Sequence, residues 1–324
     1  MQQPFWINKL KAYFSSKTSD AHVSLGARPT LKSHPIISSV SPDYVQCISP
    51  SGLHKMAYHT WGDSSNPKVL LCVHGLTRRG SDFFALAKAF SKDYFVVCPD
   101  VVGRGDSEYL KNPLLYGVPQ YVSDMMTLIA RLRPQQLDWF GTSMGGLIGM
   151  VIAGLENQPI HRLLLNDVGP RINVSFLNRL QTYLGKPIYF QTEEEALEYA
   201  NTLTATFGRH SAEQLRQLNR PQIKGQGGRW GMHYDPQIAM PFIAQNPLTI
   251  AAGEAALWDS FDKIKIDTLI VRGSQSDLLT EATVAEMCSR NSFARSVVVP
   301  DAGHAPAFIL PSQIEIAREF FSLS

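Results

Sequence analysis

The sequence predicts an α/β protein: a mostly parallel central sheet with helices on both faces and a helical lid insertion. Three observations carry this. From Tyr44 onward, short apolar and β-branched runs alternate with stretches of helical period. Some runs, such as 69–73, are apolar at every position, as strands buried on both faces are. The alternation breaks between Pro170 and about Ser260, where helical patterns such as 193–207 continue without a convincing strand.

The elements follow in order. Residues 44–49 and 54–61 read as paired strands across a Ser51-Gly52 turn, and 69–73 as a buried strand. A helical stretch covers 83–90 and a strand 94–98. Residues 120–132 place Tyr121, Met125, Leu128 and Leu132 at helical spacing. A short strand at 137–140 precedes a helix from 144 to about 155, and 162–166 is the next strand. Beyond the insertion, 268–272 and 295–299 are strands, with helices at about 280–289 and 312–321. The core is thus 44–170 and 261–324, the lid 171–260, and 1–43 an N-terminal extension and linker. Within that extension, 5–14 has Trp6, Leu10, Tyr13 and Phe14 on one side of a possible helix, suited to docking on its own domain or to a membrane surface.

Composition bounds the function. The chain has 324 residues, 44% hydrophobic and 18% charged, which excludes a disordered chain and a charge-rich coiled coil. A formal charge of +2 gives no electrostatic reason to expect nucleic acid as a partner. No run of 18 apolar residues is present, so no integral membrane helix is expected. The cysteines, Cys47, Cys72, Cys98 and Cys288, form no C-x-x-C pair, and no secretory signal is evident, which points to a reducing, cytoplasmic setting. There is no H-E-x-x-H, no clustered Cys/His and no G-x-G-x-x-G after a strand, so neither metal nor cofactor is expected.

The chemistry centres on Gly141-Thr142-Ser143-Met144-Gly145, a G-x-S-x-G between a strand and a glycine-punctuated helix. That context is a nucleophile elbow, with Ser143 raised above the sheet's carboxyl edge. A serine hydroxyl needs a base. His304 follows the strand at 295–299 and precedes the last helix, which brings it to the same edge. The base needs a carboxylate. Asp277, after the strand at 268–272, completes the order Ser143, Asp277, His304; a helix cap is its other reading, and Asp167, after the strand at 162–166, is a competing acid. Oxyanion donors are expected from the backbone N–H groups of Met144 and Leu76, the latter in the loop His74-Gly75-Leu76. His74 reads as a brace for that loop. Arg78 and Arg79 read as a solvated pair or as groups that meet an acidic substrate. Gly103-Arg104-Gly105-Asp106-Ser107 reads as a tight loop rather than an adhesion motif, and Gly225-Gln226-Gly227-Gly228 as a flexible lid stretch.

Together these pieces resemble the α/β-hydrolase superfamily over about residues 44–322. Stretches such as Asn166-Asp167-Val168-Gly169-Pro170 and His233-Tyr234-Asp235-Pro236 look like a cap-bearing bacterial branch of serine hydrolases. The resemblance implies the α/β-hydrolase fold and cleavage of a small-molecule carboxylic ester or thioester through an acyl-enzyme. Serine at the elbow departs from the aspartate of dehalogenases and epoxide hydrolases. The Ser143-Met144-Gly145-Gly146 run is similar to that of C–C bond hydrolases acting on ring-fission diketone acids, an alternative with the same triad. A non-catalytic ligand-binding protein of this fold is a third reading.

Overall fold

The computed structural model describes residues 41–171 and 173–322. The readings for residues 1–40, the helix at 5–14 included, lie outside the described residues.

Strands β1 (Asp43–Ser49) and β2 (Gly52–Trp61) form the expected hairpin, with Ser49 opposite Gly52. Then come β3 (Lys68–Val73), α1 (Phe84–Phe90), β4 (Phe95–Pro99), α2 (Val118–Leu132), β5 (Gln136–Thr142), α3 (Met144–Ala153) and β6 (Ile160–Asn166). The insertion holds α4 (Val174–Gln181), β7 (Tyr189–Phe190), α5 (Glu193–Leu203), α6 (Ala212–Asn219), β8 (Ile223–Gln226), β9 (Arg229–Met232), α7 (Met240–Ile243) and α8 (Pro247–Asp262). The chain closes with β10 (Thr268–Gly273), α9 (Glu281–Arg290), β11 (Ala294–Val299) and α10 (Pro311–Phe321).

The main sheet has eight strands in the order β1-β2-β4-β3-β5-β6-β10-β11, antiparallel at β1–β2 and β2–β4 and parallel elsewhere. Strands β4, β3, β5, β6 and β10 are buried on both faces, and the period of two divides each between two cores. Val69, Leu71 and Val73 join Trp139, Leu163 and Leu165 under α2 and α3, with Met125, Leu128 and Ile148. Leu70 and Cys72 join Phe140, Leu164 and Val271 under α1 and α10, with Leu86, Phe90, Phe320 and Phe321. Both faces being covered is what forces the apolar runs seen in the sequence.

The segment read as a lid differs from the all-helical reading. Beside its helices, β7, β9 and β8 form a three-stranded antiparallel sheet. The Gly-rich stretch is its hairpin: Gln226 pairs with Arg229 across Gly227-Gly228, both at positive φ (60° and 77°), as a two-residue hairpin turn requires. Capping boxes start α5 (Thr192 with Glu195) and α6 (Ser211 with Gln214). The segment read as lid, 171–260, includes most of α8, whose Trp258 and Phe261 lie in the main core with α3. No described helix is long and apolar enough to cross a membrane.

Candidate active site

The elbow forms because its glycines leave room for nothing else. A Cβ on Gly145 would lie 1.9 Å from the Val73 carbonyl oxygen, and one on Gly141 would lie 2.3 Å from that of Gly145. Strand, turn and helix therefore close tightly, and Ser143 is held at φ 51°, ψ −116°, a strained region for a residue with a side chain. Its N–H donates to the Asn166 carbonyl (3.0 Å), which ties the turn to β6. The loop after β3 passes beside it: the Cβ position of Gly75 is 3.7 Å from Ser143 Cβ.

His304, between β11 and α10, meets the serine. Its Nε2 is 3.0 Å from Ser143 Oγ and its Nδ1 2.8 Å from Asp167 Oδ2. In the tautomer whose Nδ1 donates to the carboxylate, the Nε2 lone pair faces the hydroxyl. Phe176 of α4 packs edge-on against the imidazole, with centroids 4.9 Å apart.

The carboxylate on the imidazole is that of Asp167, not that of Asp277 as the sequence predicts. Asp167 directly follows β6 and is fully buried. Its Oδ1 accepts from the Gly273 N–H (2.9 Å), and its Oδ2 accepts from the Ser276 hydroxyl (2.6 Å) as well as from His304. A buried carboxylate is tolerable with this many donors. Asp277 lies in the loop after β10, as expected, but Ser276 takes the inward position. Ser276 Oγ also accepts from the N–H groups of Leu278 and Leu279, which fixes the turn and sends the next side chain outward. Asp277 is 42% exposed there and forms a two-pronged pair with Arg179 of α4, both contacts 2.8 Å. Nor does it cap α9, whose N-cap is Thr280.

His74 braces the loop after β3. Its Nε2 accepts the Val101 N–H (2.9 Å), so Nδ1 carries the proton and donates to the Gly75 carbonyl (2.7 Å). Burial, with the charges of Arg104 and Arg79 adding to it, lowers its pKa to about 3 against the opposing pull of Asp100. The unfolded chain takes up this proton near pH 6.5 and the folded protein does not. Stability from this group is therefore complete above about pH 6.5 and is lost as pH falls toward 3, an effect on the order of a few kcal/mol. The urea midpoint of the wild type should fall from pH 7 to pH 4, and that of His74→Gln should fall less steeply. Equal slopes would assign the loss to other groups.

Arg78 and Arg79 are neither solvated nor open to substrate. Both are buried. Arg78 forks onto Asp82 (2.7 and 2.8 Å) and reaches Asn219 and the Leu218 carbonyl of α6. Arg79 bonds Asp100, Asp106 and His233. The pair thus fastens the loop after β3 to the inserted segment. Among the described residues, two groups, Cys47–His54–Asp124 and His59–Asp100–Asp106, bring potential metal ligands within 4.8 Å of one another. In each, the carboxylates are already engaged: Asp124 by His54 and Gln120, Asp100 and Asp106 by Arg79.

The family profile described as alpha/beta hydrolase fold matches residues 68–309. The chain belongs to the α/β-hydrolase family. A 3-hydroxybutyrate-oligomer hydrolase of Cupriavidus necator is 58% identical over 290 residues, covering 88% of this chain and 99% of that protein. A pimeloyl-[acyl-carrier protein] methyl ester esterase of Aeromonas hydrophila is 25% identical, over 78% of this chain and 94% of its own. Among solved structures, a putative hydrolase from Rickettsia typhi superposes with a TM-score of 0.79 at 30% identity, covering 87% of this α/β-hydrolase and 99% of that chain. An α/β hydrolase from Novosphingobium aromaticivorans gives 0.75 at 31% identity, covering 88% and 100%. This α/β-hydrolase is an esterase-like enzyme. The sequence reading gives Asp167 only as the competing acid and does not single out Ser276 or Phe176, which the structure places against Asp167 and His304. For Asp167 the signal was its position directly after a buried strand.

Proposed function

We propose that this enzyme cleaves the ester bonds of short 3-hydroxybutyrate oligomers through an acyl-enzyme on Ser143, with His304 as base and Asp167 as its partner. The observation that carries the mechanism is the single imidazole bridging Ser143 Oγ and a buried carboxylate. The substrate class rests on the similarity to the Cupriavidus necator oligomer hydrolase.

Ser143 Oγ attacks the ester carbonyl as His304 Nε2 takes its proton. The N–H groups of Met144 and Leu76 hold the oxyanion; the approach of Gly75 to Ser143 supports this side as the oxyanion side. Collapse expels the hydroxyl end of the neighbouring monomer, which receives the proton from His304. Water, deprotonated by the same imidazole, then releases the free acid. Asp167 stabilises the imidazolium in both steps. The same chemistry serves a thioester. The four free cysteines support the cytoplasmic setting read from the sequence.

The test is incubation with the linear 3-hydroxybutyrate trimer, with monomer and dimer quantified over time. Appearance of both, one acid group per bond broken, is the expected result. Turnover of short p-nitrophenyl esters without trimer cleavage would retire the oligomer assignment. Cleavage of a vinylogous diketone acid in place of either would establish the C–C reading.

A further inference from the structure

Arg104 occupies an unusual position for a cation. It has no solvent exposure, and among the described residues no carboxylate bonds its guanidinium. Its donors go to neutral groups. Nε donates to the Leu76 carbonyl (2.8 Å), and one terminal nitrogen to the Val102 carbonyl (2.7 Å) and the Tyr121 hydroxyl (2.9 Å). The other meets Met144 Sδ at 3.6 Å. The rings of Tyr121 and Tyr116 lie 5.0 and 5.7 Å from its charge centre. The nearby Asp235 carboxylate takes the Tyr116 hydroxyl, not the guanidinium. Buried charges are ordinarily paired, because an unpaired one forfeits its hydration without compensation.

Two of these contacts fall on Leu76 and Met144, the residues whose N–H groups the proposed mechanism aims at the oxyanion. The lid holds the same loop from the other side. Arg104 bridges to Tyr234, the Gly105 N–H donates to the His233 carbonyl (3.0 Å), and the Asp235 N–H donates to the Gly103 carbonyl (2.8 Å).

We infer that Arg104 is a positioning residue for the oxyanion site: it fixes Leu76 and Met144 against each other, and its unpaired charge gains a counter-charge when the tetrahedral oxyanion forms. The inference rests on the serine mechanism proposed above. The lid registers the loop that carries Arg104, so lid placement and oxyanion geometry are set together. Arginine suits the task because its planar fork reaches two carbonyls, a hydroxyl and a sulfur at once, which a lysine ammonium does not.

The experiment compares Arg104→Gln and Arg104→Lys with wild type. It measures p-nitrophenyl butyrate kinetics and inhibition by an alkyl trifluoromethyl ketone, which adds to the serine as an oxyanion. Circular dichroism and thermal unfolding report the fold. For Arg104→Gln, kcat is expected to fall about 100-fold with KM within about threefold, and ketone affinity to fall by about the same factor as kcat. For Arg104→Lys, which keeps the charge and loses the fork, the expected loss is about tenfold in both quantities. A folded Arg104→Gln with kcat within about threefold of wild type, or with ketone affinity unchanged while kcat falls, overturns the inference. If Arg104→Gln does not fold, Arg104→Lys decides by the same two readouts, and failure of both variants to fold makes the residue structural and overturns the positioning role. Wild type that does not react with a fluorophosphonate would sink the serine mechanism itself. Wild type that reacts, beside unaffected Arg104 variants, would sink only this inference.

Discussion

Ser143→Ala is expected to give a folded protein whose kcat for ester cleavage is lowered by about a millionfold, the scale seen when a triad serine is removed. The lost atom meets His304 Nε2 in the active site and takes no part in the core. The backbone that strains residue 143 is set by Gly141, Gly145 and the bond from the Ser143 N–H to Asn166, none of which needs the hydroxyl. Stability should therefore change little, and KM should shift less than kcat. Initial rates at saturating ester, with unfolding curves recorded in parallel, check both halves. Substantial residual turnover in a pure preparation would require another nucleophile.

The second large effect separates two carboxylates. Asp167→Asn should lower kcat by about 10⁴, because an amide cannot both stabilise the imidazolium and enforce the tautomer that leaves Nε2 free. The substitution also disturbs a site where the Gly273 N–H, the Ser276 hydroxyl and His304 all meet one carboxylate, since the amide nitrogen must face a donor. Some destabilisation accompanies the kinetic loss, of about 1–3 kcal/mol for a buried group left unsatisfied. Asp277→Asn should behave differently. Its carboxylate is 42% exposed and meets Arg179, a surface pair worth about 0–1 kcal/mol. Its kcat should stay close to wild type. The order of the two variants in kcat decides which aspartate serves His304.

The serine and histidine were legible because each is announced by its surroundings. Ser143 stands between a strand and a helix that need Gly141 and Gly145 to meet, and His304 stands between the last strand and the last helix. Which carboxylate meets His304 was not legible, for a geometric reason. Strands β6 and β10 are neighbours, with Asn166 opposite Val271, so the loops that follow them open at one place on the sheet edge. Chain order admits an acid from either. Which side chain turns inward depends on the course of the loop, and the bonds from Ser276 to Asp167, Leu278 and Leu279 turn Asp277 away.

The lid strands escaped for want of length. β7 has two residues, and β8 and β9 four each, too few for a period of two to stand out, although Gly227-Gly228 was itself a hairpin signal. Arg78 and Arg79 could not be placed from sequence because their partners are remote. Asn219 lies 141 residues from Arg78, and His233 lies 154 from Arg79. The alternation of core strands, by contrast, follows directly from burial on both faces. Leu70 and Cys72 face one helical layer while Val69, Leu71 and Val73 face the other.

The relay itself is tested most directly by mass-spectrometric mapping of a fluorophosphonate adduct, timed in wild type, Asp167→Asn and Asp277→Asn. A single adduct on Ser143, slowed strongly by the first substitution and not by the second, is the predicted result. An adduct elsewhere, no adduct, or slowing by Asp277→Asn alone would contradict the proposed alignment of Ser143, His304 and Asp167.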